Sequence, residues 1–210
     1  MRWTVHGERQ IYSNPWVNLW LADVEQPDGH RFEHHVVRIR HLAVIAVVDD
    51  RRRVLMMWRH RFVTDTWGWE LPMGLIEADE TPEQTAAREV EEETGWRVES
   101  VEPLLYAQPA NGITDSEHFV FRADGATYTG PPVEKNETDR IEWIPLTELP
   151  GMIDRREIVS GATLNGLLKL LLDELSDRGQ DPAPGAAVRG RDGDPATPAS
   201  APAGGTSFTP

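Results

Sequence analysis

Gly74-Leu75-Ile76-Glu77-Ala78-Asp79-Glu80-Thr81-Pro82-Glu83-Gln84-Thr85-Ala86-Ala87-Arg88-Glu89-Val90-Glu91-Glu92-Glu93-Thr94-Gly95-Trp96 reads as a loop that feeds a capped helix. Thr81 is an N-cap, Pro82 sits at the first helical position, and Gln84 completes a capping box. Gly95 is the C-terminal stop. On such a helix Glu89 lies three residues before Glu92 and four before Glu93, so all three carboxylates can converge at one edge. Like charges that close repel unless a cation sits between them. Hard divalent ions with oxygen ligands, Mg²⁺ or Mn²⁺, are the natural occupants. Arg88, four residues before Glu92, can hold one carboxylate in place. Ala86, Ala87 and Val90 supply the core-facing side, and Gly74 lets the loop backbone come close to the site. A Glu-rich helix is ordinarily just a solvated face. Here the spacing is Gly, five residues, Glu, seven residues, then Arg-Glu-Val-x-Glu-Glu-x-Gly-Trp. A chance match to all of it is on the order of one in a million.

Upstream, Leu42–Val48 is a continuous, largely β-branched run and predicts a strand buried on both faces. A charged turn over 49–53 leads to a return strand at Val54–Trp58, and Phe62–Glu80 reads as a long loop. Before these, Val17–Leu21, the turn at Gln26-Pro27-Asp28-Gly29-His30 and Phe32–Ile39 predict an antiparallel arm of about three strands in residues 1–40. Downstream, Val98–Gln108, His118–Arg122 and Ile141–Ile144 read as strands. A closing amphipathic helix over Gly161–Leu175 carries Leu164, Leu167, Leu168, Leu171 and Leu175 on one face. Strands, helix, strands, helix predicts an α+β fold, a mixed-sheet sandwich, over 41–176. Residues 177–210 are rich in Pro, Gly and Ala; a tail of that composition is expected to be disordered.

The chain has 210 residues, enough for one domain with extra chain. Its 35 acidic against 21 basic residues give a net charge of -14. A surface that acidic repels nucleic-acid backbone and anionic lipid, so neither is an expected partner. Phosphorylated small molecules would need cations or a local group of arginines. With no cysteine, disulfides, Cys-zinc sites and thiol nucleophiles are excluded. The longest apolar run, near Leu42–Val48, falls far short of the roughly 20 residues a membrane span needs. The start Met1-Arg2-Trp3-Thr4-Val5-His6 lacks the apolar stretch of a signal peptide, so a cytoplasmic location is expected.

The Gly74–Trp96 spacing resembles the Nudix box at every fixed position. The resemblance implies an α/β/α sandwich around a mixed sheet and metal-dependent hydrolysis of a nucleoside diphosphate linked to a group X. By carry-over, Glu89 and Glu93 would be the main metal ligands and Glu92 a third or water-bridged one that, with Arg88, also belongs to the catalytic set. Arg88 would orient them, with Glu80 as an outer support, and Gly74 and Gly95 would shape the box. Trp69-Glu70-Leu71-Pro72-Met73-Gly74 looks like the approach to the box in ADP-ribose and nucleotide-sugar pyrophosphatases. In that group the residue before the glycine, here Met73, gives its carbonyl to a metal. Trp58-Arg59-His60-Arg61 resembles a strand end whose last arginine, here Arg61, meets substrate phosphate. Glu70 and Glu117 join Arg61 on the substrate side. The general base would come from the loop over 133–139, with Glu137 first and Glu134 in reserve.

The same resemblance implies a homodimer paired through the N-terminal arms. Two departures leave X open. His34-His35 stands where this group commonly has Arg-Glu, and Gln108-Pro109-Ala110-Asn111-Gly112 replaces the usual Ser-Pro-Gly. Adjacent strand residues face opposite sides, which argues against a two-His metal site. Trp16, Trp20 and Phe32 on the arm would either pack or stack on a base, packing being the ordinary explanation. A nucleoside triphosphate sanitising pyrophosphatase and a non-catalytic Nudix nucleotide-binding module are the alternatives.

Overall fold

The computed structural model describes residues 1–133 and 137–180, with side chains through 176. In chain order the strands are β1 (Thr4–Ser13), β2 (Asn18–Glu25), β3 (Arg31–Arg38), β4 (Leu42–Val48), β5 (Arg53–Arg61), β6 (Thr66–Glu70) and β7 (Met73–Leu75). After helix α1 (Pro82–Thr94) come β8 (Trp96–Arg97), β9 (Glu102–Ala107), β10 (His118–Asp124), β11 (Thr127–Tyr128) and β12 (Arg140–Pro145). Helices α2 (Leu149–Asp154) and α3 (Gly161–Gln180) close the described chain.

β4 carries the architecture. Its β-branched run sits in the middle of the main sheet, whose path is β12-β5-β4-β10-β9, with β6 on β5 and β7 on β4. It runs parallel to β10, Leu42 facing His118 and Val48 facing Asp124, while its other pairings are antiparallel. The sheet is therefore mixed. Side chains alternate across it as strand geometry requires. Val44, Ala46 and Val48 join a core with Leu149, Met152, Leu167 and Leu170 of α2 and α3. Ala43, Ile45 and Val47 join a second core with Ala86 and Val90 of α1. A central strand buried on both faces and helices on either side make the expected α/β/α sandwich. Each fully buried Leu or Ile here contributes about 1.5–3 kcal/mol.

The first three strands form a separate antiparallel sheet, β1-β2-β3. Every residue of β1 is exposed. The arm meets the main body where the Val37 N–H donates to the Ile113 carbonyl at 2.8 Å and Arg38 pairs with Asp115 at 3.1 Å.

Four local expectations need correction. The loop expected over Phe62–Glu80 contains β6 and β7, which extend the sheet along β5 and β4. The single strand expected over Val98–Gln108 is β9 alone, preceded by a turn and the two-residue β8, which pairs with β11. The buried face of α3 is also rotated from the expected leucine stripe. Leu167 and Leu170 are fully buried, whereas Leu168, Leu172 and Leu175 are exposed. Small residues set that rotation. A methyl on Gly166 would come within 3.0 Å of Leu71 and 3.1 Å of Val120, so α3 lies close on the sheet at its Ala162-Thr163 and Gly166-Leu167 side. The helix also runs past Leu175 to Gln180, so residues 177–180 of the tail expected to be disordered are helical, while residues 181–210 lie outside the described residues.

Candidate active site

Capping places α1. The Gln84 N–H donates to Thr81 Oγ1 at 3.3 Å, and the Thr81 N–H donates back to Gln84 Oε1 at 2.8 Å. At the other end Gly95 adopts φ 74°, and its N–H donates to the Glu91 carbonyl at 2.9 Å. A side chain there would also strike the Gly130 carbonyl. Between the caps, Ala86 and Val90 face the sheet while the carboxylates turn toward β5 and β7.

Gly74 explains how the loop meets the helix. It pairs with Ala43 on β4, and a Cβ on it would overlap the Glu89 carboxylate. Only glycine leaves that carboxylate its seat.

Arg88 gathers one set of acids. Its Nε and Nη2 donate to the two Glu80 oxygens at 2.7 and 3.0 Å. Nη1 donates to Glu89 Oε1 at 2.8 Å and to Glu92 Oε2 at 2.7 Å. Thr85 adds a hydroxyl bond to Glu80 at 2.8 Å. The Arg88 hydrogen bonds, with Thr85, pull the Glu80 carboxyl down to about 2. The same bonds raise Arg88 well above its ordinary value.

Arg59, which the sequence does not single out, gathers the other set. It is 3% exposed, as is Glu93, and its Nη1 donates to Glu93 Oε1 at 2.7 Å. Its Nη2 donates to Glu137 Oε2 at 3.0 Å. The Met73 N–H donates to the second Glu93 oxygen at 3.0 Å. Burial pushes the Glu93 carboxyl up to about 7, against the downward pull of Arg59 and the Met73 N–H. Strand alternation is the available signal for Arg59: it shares one face of β5 with Arg61, two residues on.

The other expected residues are placed as follows. Arg61 lines the same cleft as Arg59 and Glu137, and Glu70 holds its guanidinium, Nε to Oε1 at 3.0 Å. Glu70 is thus an anchor for Arg61, itself buried. Glu117 stands apart from that cleft, accepting from the Tyr106 hydroxyl at 2.6 Å. Glu134 lies outside the described residues. His34 bonds the Gly112 carbonyl at 2.8 Å while His35 lies on the opposite face of β3. Trp16 is 69% exposed, with Arg40 over its ring at 5.5 Å. Trp20 lies under Arg38 and Phe32 packs against Trp3, so both are engaged in packing.

Among the described residues, no three of these acids stand converged as a ready-made metal cage. Glu89 and Glu92 are turned onto Arg88, and Glu93 onto Arg59. The donor set nevertheless fits a hard divalent ion. It is all oxygen, it includes a carboxylate seated against a glycine, and burial of Glu93 disfavours its charge until a proton or cation joins it.

Comparison with known proteins agrees with this geometry. Residues 39–161 match the NUDIX domain, and residues 3–37 match the nucleoside diphosphate sugar hydrolase N-terminal domain. The chain is 47% identical over 171 residues to a CMP-5'-(N-acetyl-N-hydroxy-3-aminopropyl)phosphonate hydrolase of Streptomyces rubellomurinus, covering 81% of this chain and 83% of that one. An ADP-ribose pyrophosphatase of Bacillus subtilis is 27% identical, over 80% of this chain and 92% of its own. The fold is similar to that of a solved ADP compounds hydrolase, with a TM-score of 0.73 at 16% identity over 85% of this chain and 97% of that one. With the domain match covering most of the described body and the box residues gathered in space, this chain belongs to the Nudix hydrolase family.

Proposed function

We propose that this Nudix hydrolase is a Mg²⁺- or Mn²⁺-dependent diphosphatase. It would split a nucleoside diphosphate linked to X into a nucleoside monophosphate and phosphorylated X, working in the cytoplasm. One observation carries the reading: Glu93, buried beside Glu89, is bonded at once to the Met73 backbone and to the arginine that holds Glu137. That arrangement links a candidate metal ligand directly to a candidate base.

Glu89, Glu93 and Glu92, with the Met73 carbonyl, would hold the ion, which would neutralise diphosphate charge and lower the pKa of a bound water. Glu137 takes the proton of the attacking water on its carboxylate. Arg59 keeps that carboxylate in place through the 3.0 Å bond, and Arg61 turns its charge toward the phosphates across the cleft. Attack forms one P–O bond and breaks the bridging P–O bond, whose electron pair leaves with the departing phosphate. Arg88 fixes Glu89 and Glu92, and Glu80 fixes Arg88.

The test is product release from a panel with Mg²⁺, with and without chelator. ADP-ribose, GDP-mannose and a CMP-alkylphosphonate, after the named activities of three relatives, would form the panel with a dinucleotide and a nucleoside triphosphate. Chelator-sensitive monophosphate from a diphosphate-linked substrate is the expected result. Turnover of the triphosphate alone would replace the reading with a sanitising activity. Tight binding without turnover would make the chain a binding module.

We further propose a homodimer through the arm. β1 is a ten-residue edge strand exposed throughout, with Trp3, Val5, Ile11 and Tyr12 uncovered on or beside it. Such an edge is ordinarily covered or blunted. Sedimentation should give twice the chain mass, and removal of residues 1–40 should give a monomer. A monomeric full chain would refute the arrangement.

A further inference from the structure

A cleft of about 1260 Å³ runs over the ends of β5, β6 and β7, and its two ends differ in chemistry. Arg59, Arg61, Glu70 and Glu137 line one end. That end lies on the α1 side of the sheet, where Arg59 meets Glu93. Leu42, Trp69, Met73, Pro109, Val159 and Ala162 line the other. Leu42, Trp69, Met73 and Ala162 belong to, or pack against, the core on the α3 side, so this second end lies across the sheet from the carboxylates.

Met73 joins the two halves. Its N–H bonds Glu93 while its side chain packs on the α3 side. The cleft thus offers a diphosphate at the carboxylate end a path for one substituent past Met73 into the apolar end.

Ser160, between Val159 and Ala162, and His60, on the same face of β5 as Trp58, are polar side chains of this end. His118 also lines it, on the strand position facing Leu42. Its Nδ1 is sealed from solvent and has no hydrogen-bond partner among the described residues. Burial lowers the pKa of the ring, which keeps it neutral. An unpaired buried acceptor is less costly than an unpaired buried N–H. Leaving Nδ1 as the bare acceptor puts the proton on Nε2.

We propose that this end of the cleft seats the X group, and that it selects a compact, largely apolar X with one hydrogen-bond acceptor over a polyhydroxylated sugar. The proposal rests on the diphosphatase reading. Against these walls, each hydroxyl left unpaired costs about tenfold in affinity. A short chain carries no such penalty, and one acceptor suffices for His118. Neither His118 nor Val159 belongs to the carboxylate machinery.

Eight probes test this: cytidine and adenosine diphosphates, each esterified with a methyl, butyl, methoxyethyl or ribosyl group. For either base, kcat/KM should be about tenfold or more higher for butyl than for ribosyl, and highest for methoxyethyl. His118→Leu should erase the methoxyethyl advantage over butyl, and an advantage that survives it would overturn the role given to His118. Val159→Trp, at a site 46% exposed where a larger side chain has room, should slow butyl and methoxyethyl about tenfold and spare methyl. Equal or faster turnover of the ribosyl ester would overturn the proposal, as would a Val159→Trp effect equal on methyl and butyl. Those results would leave the diphosphatase reading standing. Absence of chelator-sensitive hydrolysis with every probe would overturn both.

Discussion

Arg88 and Arg59 each hold more than one carboxylate, but in opposite surroundings. The Arg88 side chain is 30% exposed and its three acids all lie within the box or its approach. Arg59 and Glu93 are each only 3% exposed, and Arg59 reaches from β5 to α1 and to the loop that carries Glu137. Partly solvated charges tolerate rearrangement, because water screens whatever is left unpaired. Buried charges do not: removing one partner strands the other. Glu92, with 37% of its side chain exposed, would therefore leave Arg88 for an ion at little cost, whereas the Arg59 group fixes where Glu93 and Glu137 sit.

Breaking the buried group should have the largest effect. Glu93→Gln should lower kcat by at least about 10³-fold, the several kcal/mol that a bound metal supplies. Circular dichroism should show the fold retained, because the amide has the same shape and its one oxygen keeps one of the two hydrogen bonds, from Arg59 or from Met73. Near-normal turnover would remove Glu93 from the site.

Arg59→Met comes next. Loss of a group that orients ligands should cost about 10- to 100-fold in kcat/KM. It should also lower stability by up to about 3 kcal/mol at pH 8, where Glu93 would be left charged and buried. At pH 5.5, below its raised value of about 7, Glu93 can take a proton, so the loss should shrink. Urea unfolding at the two pH values reads the difference. An equal loss at both would contradict the burial argument.

By contrast, Arg88→Met should change stability by no more than about 1 kcal/mol and slow turnover about tenfold. A stability loss as large as that of Arg59→Met would erase the contrast between the two groups.

The smallest effects are those of pH on the unaltered, metal-free protein. Glu93 has a folded value raised above that of an unfolded carboxylate, so its contribution is complete below about 4.5 and is lost as pH rises through about 7. Glu80 has a depressed value, so its contribution is present above the ordinary carboxylate range and is lost as pH falls toward about 2. In metal-free protein Tm should therefore fall between pH 5 and pH 8, and added Mg²⁺ should reverse that fall. A Tm that rises over this window without metal would contradict the sign assigned to Glu93.

The capping box at Thr81 and Gln84, the left-handed stop at Gly95 and the doubly buried β4 are legible in the sequence, because each follows from local chemistry, and each is in place. What is not legible depends on partners distant in the chain. β6 and β7 are short, with glycines at 68 and 74, and become strands only by pairing with β5 and β4. The leucines of α3 suggest a stripe, but the close approach at Gly166 turns Leu168 and Leu175 to the surface. In sequence Arg59 resembles any strand-end arginine beside Arg61. Only its approach to Glu93, on a helix 34 residues away, gives it a role.

The most direct test of the account is a Mn²⁺ titration, followed by electron paramagnetic resonance, of wild-type protein and Glu93→Gln without substrate. The account predicts that the substitution weakens binding by at least about tenfold, and that wild-type affinity rises as pH is raised through about 7, where the proton on Glu93 is lost. Equal affinity in the two proteins, with no dependence on pH across that range, would contradict it.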